Sequence, residues 1–354
     1  MRIGIIGLPQ VGKKTLFQIL TNDQIKETSK IFKPVLGTAN IIDTRFEELV
    51  KMYEPKKEVK AKIDFVLLYK IEQQIMPDIF KDISDMDAIC HVVRAFENDT
   101  IYHEKGSVNP IRDYQMVNSE LIIQDQIFVE KRIESLESIQ KKIKDEAAQK
   151  ELELMHKLKN SLENEKPLRL LKLSDDEKKT IKSYPFITRK KMVLVINVLE
   201  EDINNEELIL SFKKDCESQM IEVMSISAKL EAEIVMLDSL KEQDEFLKAT
   251  GIQKTALESL THLCLKSLGL ISFFTIGKDE VRQWLIKKGL TADKAAGTIH
   301  SDLQKGFIRA EVIKYDELIN AGSEAALKKT GKVYVEGKDY IIEDKDILNI
   351  RFAV

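Results

Sequence analysis

The chain is 354 residues long, with 55 basic and 59 acidic side chains and a formal net charge of −4. That length predicts two or three domains rather than one core, and 43% hydrophobic with 32% charged residues fits packed, soluble domains. The slight acidic excess excludes affinity for nucleic acid over the whole surface and leaves room only for a local basic face. Cys90, Cys216 and Cys264 are odd in number and widely spaced, so reduced core thiols are expected rather than a zinc site or a disulfide framework. No apolar run approaches the roughly 20 residues that span a bilayer. The N-terminus opens directly on a strand pattern and not on a signal peptide, so a cytoplasmic protein without membrane contact is expected.

In chain order, β-branched runs at 3–8, 63–68 and 88–93 predict parallel strands buried on both faces, with helices at 45–53 and 75–83 between them. This alternation predicts an α/β layer sandwich whose ligands sit at the carboxyl ends of the strands. From 116 the pattern becomes long, charged and helical. Leu136, Ile139, Ile143 and Ala147, then Leu152, Met155, Leu158 and Leu162, recur at spacings of three and four and predict an antiparallel helical hairpin. Strands return at 191–198 and 221–227, with helices at 206–216 and 228–240, which makes the hairpin an insertion into the first domain. The last segment predicts a small mixed sheet: strands at 272–276, 307–312, 340–342 and 348–352, and one helix at 292–300 across it. Residues 279–284 are expected to expose polar groups around the single Trp284.

The stretch with the clearest chemistry is Gly7-Leu8-Pro9-Gln10-Val11-Gly12-Lys13-Lys14-Thr15, between the first strand and the first helix. Glycines let the backbone curl until its N–H groups converge on a phosphate, and the helix N-terminus adds partial positive charge. In that Walker A context Lys13 stands where a lysine reaches the terminal phosphates. The following Ser or Thr, whose hydroxyl would hold Mg²⁺, is replaced by Lys14.

This loop resembles the YchF family of Obg-related P-loop NTPases. So do Asp87-Ala88-Ile89-Cys90-His91-Val92-Val93-Arg94-Ala95-Phe96, Val108-Asn109-Pro110-Ile111-Arg112-Asp113 and Ser227-Ala228-Lys229-Leu230-Glu231-Ala232-Glu233. The stretches 295–302, 306–312 and 337–340 look like that family's TGS module. The resemblance covers essentially the whole chain. It implies a G domain (1–115 and 186–267), an inserted antiparallel hairpin (116–185) and a C-terminal β-grasp TGS domain (268–354). It implies ATP or GTP as ligand, ATP being preferred by several relatives. It also implies a ribosome partner, with RNA or ribosomal protein met through the TGS domain and the hairpin.

Set against the family pattern, this chain departs at defined points. The metal-facing Thr of switch I aligns on Ile31, and the Walker B Asp-x-x-Gly aligns on Leu67-Leu68-Tyr69-Lys70. The switch II loop is shortened to Ile71-Glu72-Gln73-Gln74. Positioning and charge neutralisation by the metal dominate phosphoryl transfer in this class, so three losses together predict a site no longer built around Mg²⁺. No metal-binding residues are expected. Nucleotide contacts are expected from Gly7, Pro9, Gln10, Val11, Gly12, Lys13, Lys14 and Thr15, and at the base from Asn197, Glu200, Ser227 and Ala228. Asn197-Val198-Leu199-Glu200 resembles the family's ATP-tolerant Asn-x-x-Glu. His103 falls on the histidine that the family uses to position water, the candidate catalytic residue here, although an exposed loop residue is the plainer expectation. His91 reads as a core histidine. The expected function is a ribosome-associated nucleotide-binding protein with weak or absent hydrolysis. The alternatives are an active ATPase or GTPase with a rearranged metal site, and a nucleotide-free interaction scaffold.

Overall fold

The structure is a computed structural model that describes residues 1–22, 33–68, 77–142, 145–237, 239–250 and 254–353. In chain order its strands and helices begin with β1 (Arg2–Ile6), α1 (Lys13–Thr21), β2 (Val35–Asn40), α2 (Thr44–Tyr53), β3 (Lys57–Val59), β4 (Lys62–Leu67), α3 (Pro77–Ser84) and β5 (Ala88–Arg94). They continue with α4 (Pro110–Gln140), α5 (Glu146–Glu163), α6 (Asp175–Thr180), β6 (Lys191–Asn197), α7 (Glu206–Ser218), β7 (Ile221–Ile226), α8 (Ala228–Val235), α9 (Leu240–Thr250) and α10 (Ala256–Leu268). The last are β8 (Leu270–Thr275), β9 (Glu280–Lys287), α11 (Ala292–Ile299), α12 (Ser301–Lys305), β10 (Phe307–Lys314), α13 (Tyr315–Ala321), α14 (Glu324–Lys329), β11 (Tyr334–Glu336) and β12 (Asp346–Phe352).

The chain divides into two compact units, residues 1–39 with 64–256, and residues 40–63 with 257–354. The first holds a sheet in the order β2-β4-β1-β5-β6-β7, and the ladders from β4 to β7 are parallel. Every residue of β5 is buried, as a central strand covered on both faces requires. The hairpin of α4 and α5 belongs to this unit. Its real seam runs through Val129, Ile133, Leu136, Ala148, Leu152, Met155, Leu158 and Leu162. The second half of the expected stripe is correct. In the first half Ile139 is 40% exposed and Ala147 gives way to Ala148; Ile143 lies outside the described residues. The hairpin's base is fastened by Asp125, whose buried carboxylate accepts the N–H groups of Ile187 and Thr188, both at 2.8 Å, and the Thr188 hydroxyl at 2.6 Å. Arg132 forks onto Glu151 across the two helices at 2.6 and 3.0 Å.

The second unit holds a mixed sheet, β11-β10-β12-β8-β9-β3. Phe273 and Phe274, adjacent on β8, point to opposite faces, as the period of a strand demands. On one face Phe273 packs with Ala292, Ala295, Val312 and Leu348 beneath α11. On the other, Phe274 packs with Phe46, Leu49, Leu318 and Leu327 from α2, α13 and α14. Two expectations change here. Residues 40–63, read from the sequence with the first domain, cluster with this unit and supply α2 and the edge strand β3. Residues 280–287 form β9, with Gln283 buried and Arg282 stacked 4.0 Å over the Trp284 ring, where the sequence predicts exposed polar groups.

Two smaller expectations also fail. Residues 340–342 make only an isolated bridge from Ile341 to Thr291, because Tyr340 and the Glu343 N–H turn onto the Asp346 carboxylate (2.8 and 2.9 Å). The helix expected over 228–240 stops at Val235, and Ser239 caps a new one through the Glu242 N–H.

Candidate nucleotide site

The loop after β1 owes its path to three residues with positive φ: Gly7 (143°), Gln10 (57°) and Gly12 (98°). At Gly7 a Cβ would lie 2.3 Å from the Val92 carbonyl oxygen, so only glycine lets the loop cross β5. At Gly12 a Cβ would lie 2.3 Å from Asn197 Nδ2. Gly12 starts α1, whose first turn carries Lys13, Lys14 and Thr15 and no acidic residue. Helix N-terminal N–H groups lack intrahelical partners and face whatever anion the loop surrounds. Lys13 is buried and folds back over the loop, its ammonium donating to the Gly7 and Leu8 carbonyls, the latter at 2.7 Å. Pro9 and Thr15 are partly exposed, Gln10 is exposed and Val11 is buried.

Asn197, at the end of β6, ties this loop to the next. Its Nδ2 donates to the Val11 carbonyl at 3.0 Å, and its Oδ1 accepts the Ala228 N–H at 3.0 Å. Ser227 is buried and caps α8 through the Leu230 N–H. The structure therefore brings Asn197, Ser227 and Ala228 together beside Gly12, and engages the Ala228 N–H that the sequence assigns to the base. Glu200 stands exposed three residues beyond β6.

His103 is buried, contrary to the plainer sequence expectation. Its Nδ1 accepts the Lys105 N–H at 3.2 Å, and its Nε2 lies 2.9 Å from Asp113 Oδ2. Asp113 sits in the first turn of α4, behind the Asn109 cap and Pro110, and its other oxygen takes Arg112 Nε and Nη2 at 2.9 and 2.8 Å. The loop between β5 and His103 hangs on Arg94. This buried guanidinium donates to the carbonyls of Phe96 (2.9 Å), Ile101 (3.0 Å) and Asn98 (3.4 Å) and stacks over Phe96. Asp113 and Arg94 both lie inside motifs noted in the sequence, yet their pairing with loop atoms leaves no periodic signal. His91 is fully buried and packs against Tyr114; burial, then the nearby Lys13 charge, lowers its pKa to about 3, so it is a neutral core residue.

A family model, YchF-GTPase_C, described as a protein of unknown function (DUF933), matches residues 270–353. The ribosome-binding ATPase YchF of Bacillus subtilis (strain 168) is 37% identical over 363 residues, covering 99% of each chain. The chain belongs to the YchF family. The ribosome-binding ATPase YchF of Escherichia coli O157:H7 is 36% identical over 364 residues, 100% of this chain and 99% of the relative. Among solved structures, the Schizosaccharomyces pombe YchF GTPase superposes with a TM-score of 0.86 at 29% identity, covering 99% of this chain and 97% of the other. A GTP binding protein from Pyrococcus horikoshii OT3, TM-score 0.62 and 20% identical, shares the fold. This YchF fold combines a P-loop G domain, a helical hairpin and a C-terminal β-grasp sheet.

The YchF fold implies a magnesium ion beside the nucleotide, and the described residues do not fit one. At the carboxyl end of β4, Leu67 pairs with Ile5 and Leu68 donates its N–H to the Ile5 carbonyl at 3.2 Å; both side chains are buried leucines. The acidic residue of β4, Asp64, is at the opposite end, beside Arg2, about 10 Å back at 3.3 Å per residue. It is occupied by the Thr38 hydroxyl at 2.9 Å. Among the described residues no group of three His, Cys, Asp or Glu side chains could hold a metal ion. Ile31, Tyr69, Lys70 and 71–74, the remaining switch positions, lie outside the described residues. No helix described is long and apolar enough to cross a membrane.

Proposed function

We propose that this YchF-family chain is a cytoplasmic, ribosome-associated protein that binds ATP or GTP in the loop 7–15 and hydrolyses it weakly or not at all. The observation that carries the reading is the pairing of an intact loop with a β4 end that offers only leucine. Loop path, buried Lys13 and the Asn197 brace support a phosphate cradle, and the ribosome-binding relatives, aligned over their full length, support the partner. Without an acidic group at Leu67 or a hydroxyl at Lys14, the charge on a leaving phosphate lacks the metal that offsets it. His103, held between Lys105 and Asp113, orders its loop instead of reaching for water. The test is phosphate release by the purified chain with magnesium and either nucleotide, alone and with ribosomes, beside binding of fluorescent nucleotide analogues. Binding without turnover above the buffer rate is expected; turnover at the rate of an active relative would replace this reading with that of an ATPase with a rearranged metal site.

A further inference from the structure

The C-terminal sheet is covered unevenly on the face that holds Phe274. Strand register sets Arg309 opposite Arg351, Glu311 opposite Asn349, Ile313 opposite Ile347 and Val335 opposite Glu311, so alternation puts all of them on that one face. At one end Ile313 and Ile347 are buried with Leu318 of α13 and Leu327 of α14. Toward the other end the face is open: Arg309, Asn349 and Arg351 are exposed and Val335 is 60% exposed. Ile308, the extra residue where the β10–β12 register shifts, is 59% exposed next to Arg309. Arg351 forks onto Glu311 through Nε and Nη2, both at 3.0 Å, while the Arg309 guanidinium has no hydrogen-bond or ion-pair partner among the described residues. The Arg351 hydrogen bonds, with Arg309 and Lys328 nearby, hold the Glu311 carboxyl below its usual range, so three cations surround one carboxylate. Lys328 and Lys329 end α14 beside them. This part of the surface is basic on a chain whose net charge is −4.

The charge calls for an acidic partner, and the apolar residues decide its class. Sheets that take single-stranded RNA stack its bases on aromatic rings. Here the neighbouring aromatics turn away: Phe352 lies opposite Phe307 and Tyr334 opposite Val312, on the face that packs beneath α11. The open face keeps aliphatic Ile308 and Val335 beside arginine, and apolar anchors with arginine are what protein interfaces select. A guanidinium also takes a carboxylate through two parallel hydrogen bonds, as Arg351 does with Glu311. We propose that this open half of the C-terminal sheet docks an acidic segment of a partner protein, whose aliphatic side chains pack on Ile308 and Val335 while its carboxylates pair with Arg309 and the basic rim. The docking surface stands independently of the nucleotide and ribosome readings above.

The experiment is fluorescence anisotropy of the full chain with labelled probes: a short peptide alternating glutamate and leucine, polyglutamate of equal charge, and a single-stranded RNA oligonucleotide. The glutamate–leucine peptide should bind about 10-fold tighter than either of the others. Arg309→Ser and Val335→Ser should each weaken it by about 5- to 30-fold, the loss typical of an interface anchor. Lys294→Ser, exposed on α11 across the sheet, should leave it unchanged. Amide chemical shifts should move on peptide addition at 308–311, 335 and 349–351. Both substituted side chains are exposed, and circular dichroism melts establish that each variant is folded. RNA binding that exceeds peptide binding and falls with Arg309→Ser makes the occupant a nucleic acid and overturns the inference. Peptide binding that is absent, equalled by polyglutamate or unchanged by either variant overturns it as well.

Discussion

Asn197 engages both ends of its side chain with backbone, one on the phosphate loop and one on the start of α8, so its loss leaves a carbonyl and an N–H without partners. Each buried group left unpaired costs about 1–3 kcal/mol. Asn197→Ala should therefore lower the urea midpoint and weaken fluorescent-nucleotide binding together, while Glu200→Ala, at an exposed position, should leave the urea midpoint unchanged. Glu231 has a different character. Burial against a single donor, the Ala256 N–H at 2.8 Å, raises its carboxyl from the ordinary 4.5 to about 7. Between those values the folded chain binds the proton more tightly than the unfolded chain, so this group's contribution to stability falls as pH rises from about 4.5 to 7. Glu231→Gln keeps an oxygen for the Ala256 N–H and should flatten that part of the stability–pH curve, measured by urea unfolding across the range. An unchanged curve would place the titration elsewhere.

At the level of elements, α2 and β3 are the informative pair. They lie in sequence between two strands of the nucleotide-binding sheet, yet Phe46 and Leu49 are buried among Phe274, Val281, Leu318 and Ile347 of the C-terminal unit. β3 extends its sheet in parallel with β9, from Lys57 opposite Glu280 to Val59 opposite Arg282. Polar contacts repeat the connection: Gln283 Nε2 donates to Asp43 at 2.9 Å, and Tyr53 OH to Glu324 at 3.0 Å. The C-terminal β-grasp thus needs a segment made some 200 residues earlier in the chain. Phe46→Ala should cost about 3–5 kcal/mol, the usual range for emptying such a site. Hydrogen exchange should report the loss in β8 and β12, far along the sequence from the substitution. In the hairpin, Leu158→Ala should cost about 2–5 kcal/mol and speed exchange in both α4 and α5, because its side chain is fully buried in their seam.

For the whole molecule, two units built from interleaved segments share one chain, and the proposed ribosome association gives a measurement that addresses both. If basic residues of the C-terminal unit such as Lys305 and Arg309 meet phosphates, co-sedimentation with ribosomes should fall steeply between low and moderate salt. A flat salt profile would direct attention to the apolar exposed residues of the same sheet, Ile308, Val335 and Phe352. Lys13→Ala, which removes contacts to the Gly7 and Leu8 carbonyls and touches neither group, should leave this association unchanged.

Composition and local pattern alone were enough for the parallel strands, the phosphate loop, the existence of the hairpin and the neutral core histidine, because each depends on residues close in sequence or on a strong periodic signal. The departures from the family pattern at Lys14 and Leu67 are legible for the same reason, being identities and not geometries. Tertiary structure decided what depends on distant partners. The burial of His103 requires Asp113 from the next helix and a loop hung on Arg94. The membership of residues 40–63 requires an apolar surface assembled from residues 274–347, which no window around Phe46 contains. The strand at 280–287 reads as polar because its buried Gln283 is satisfied by Asp43 and by the Ser272 hydroxyl at 3.0 Å, partners supplied only once the chain has folded.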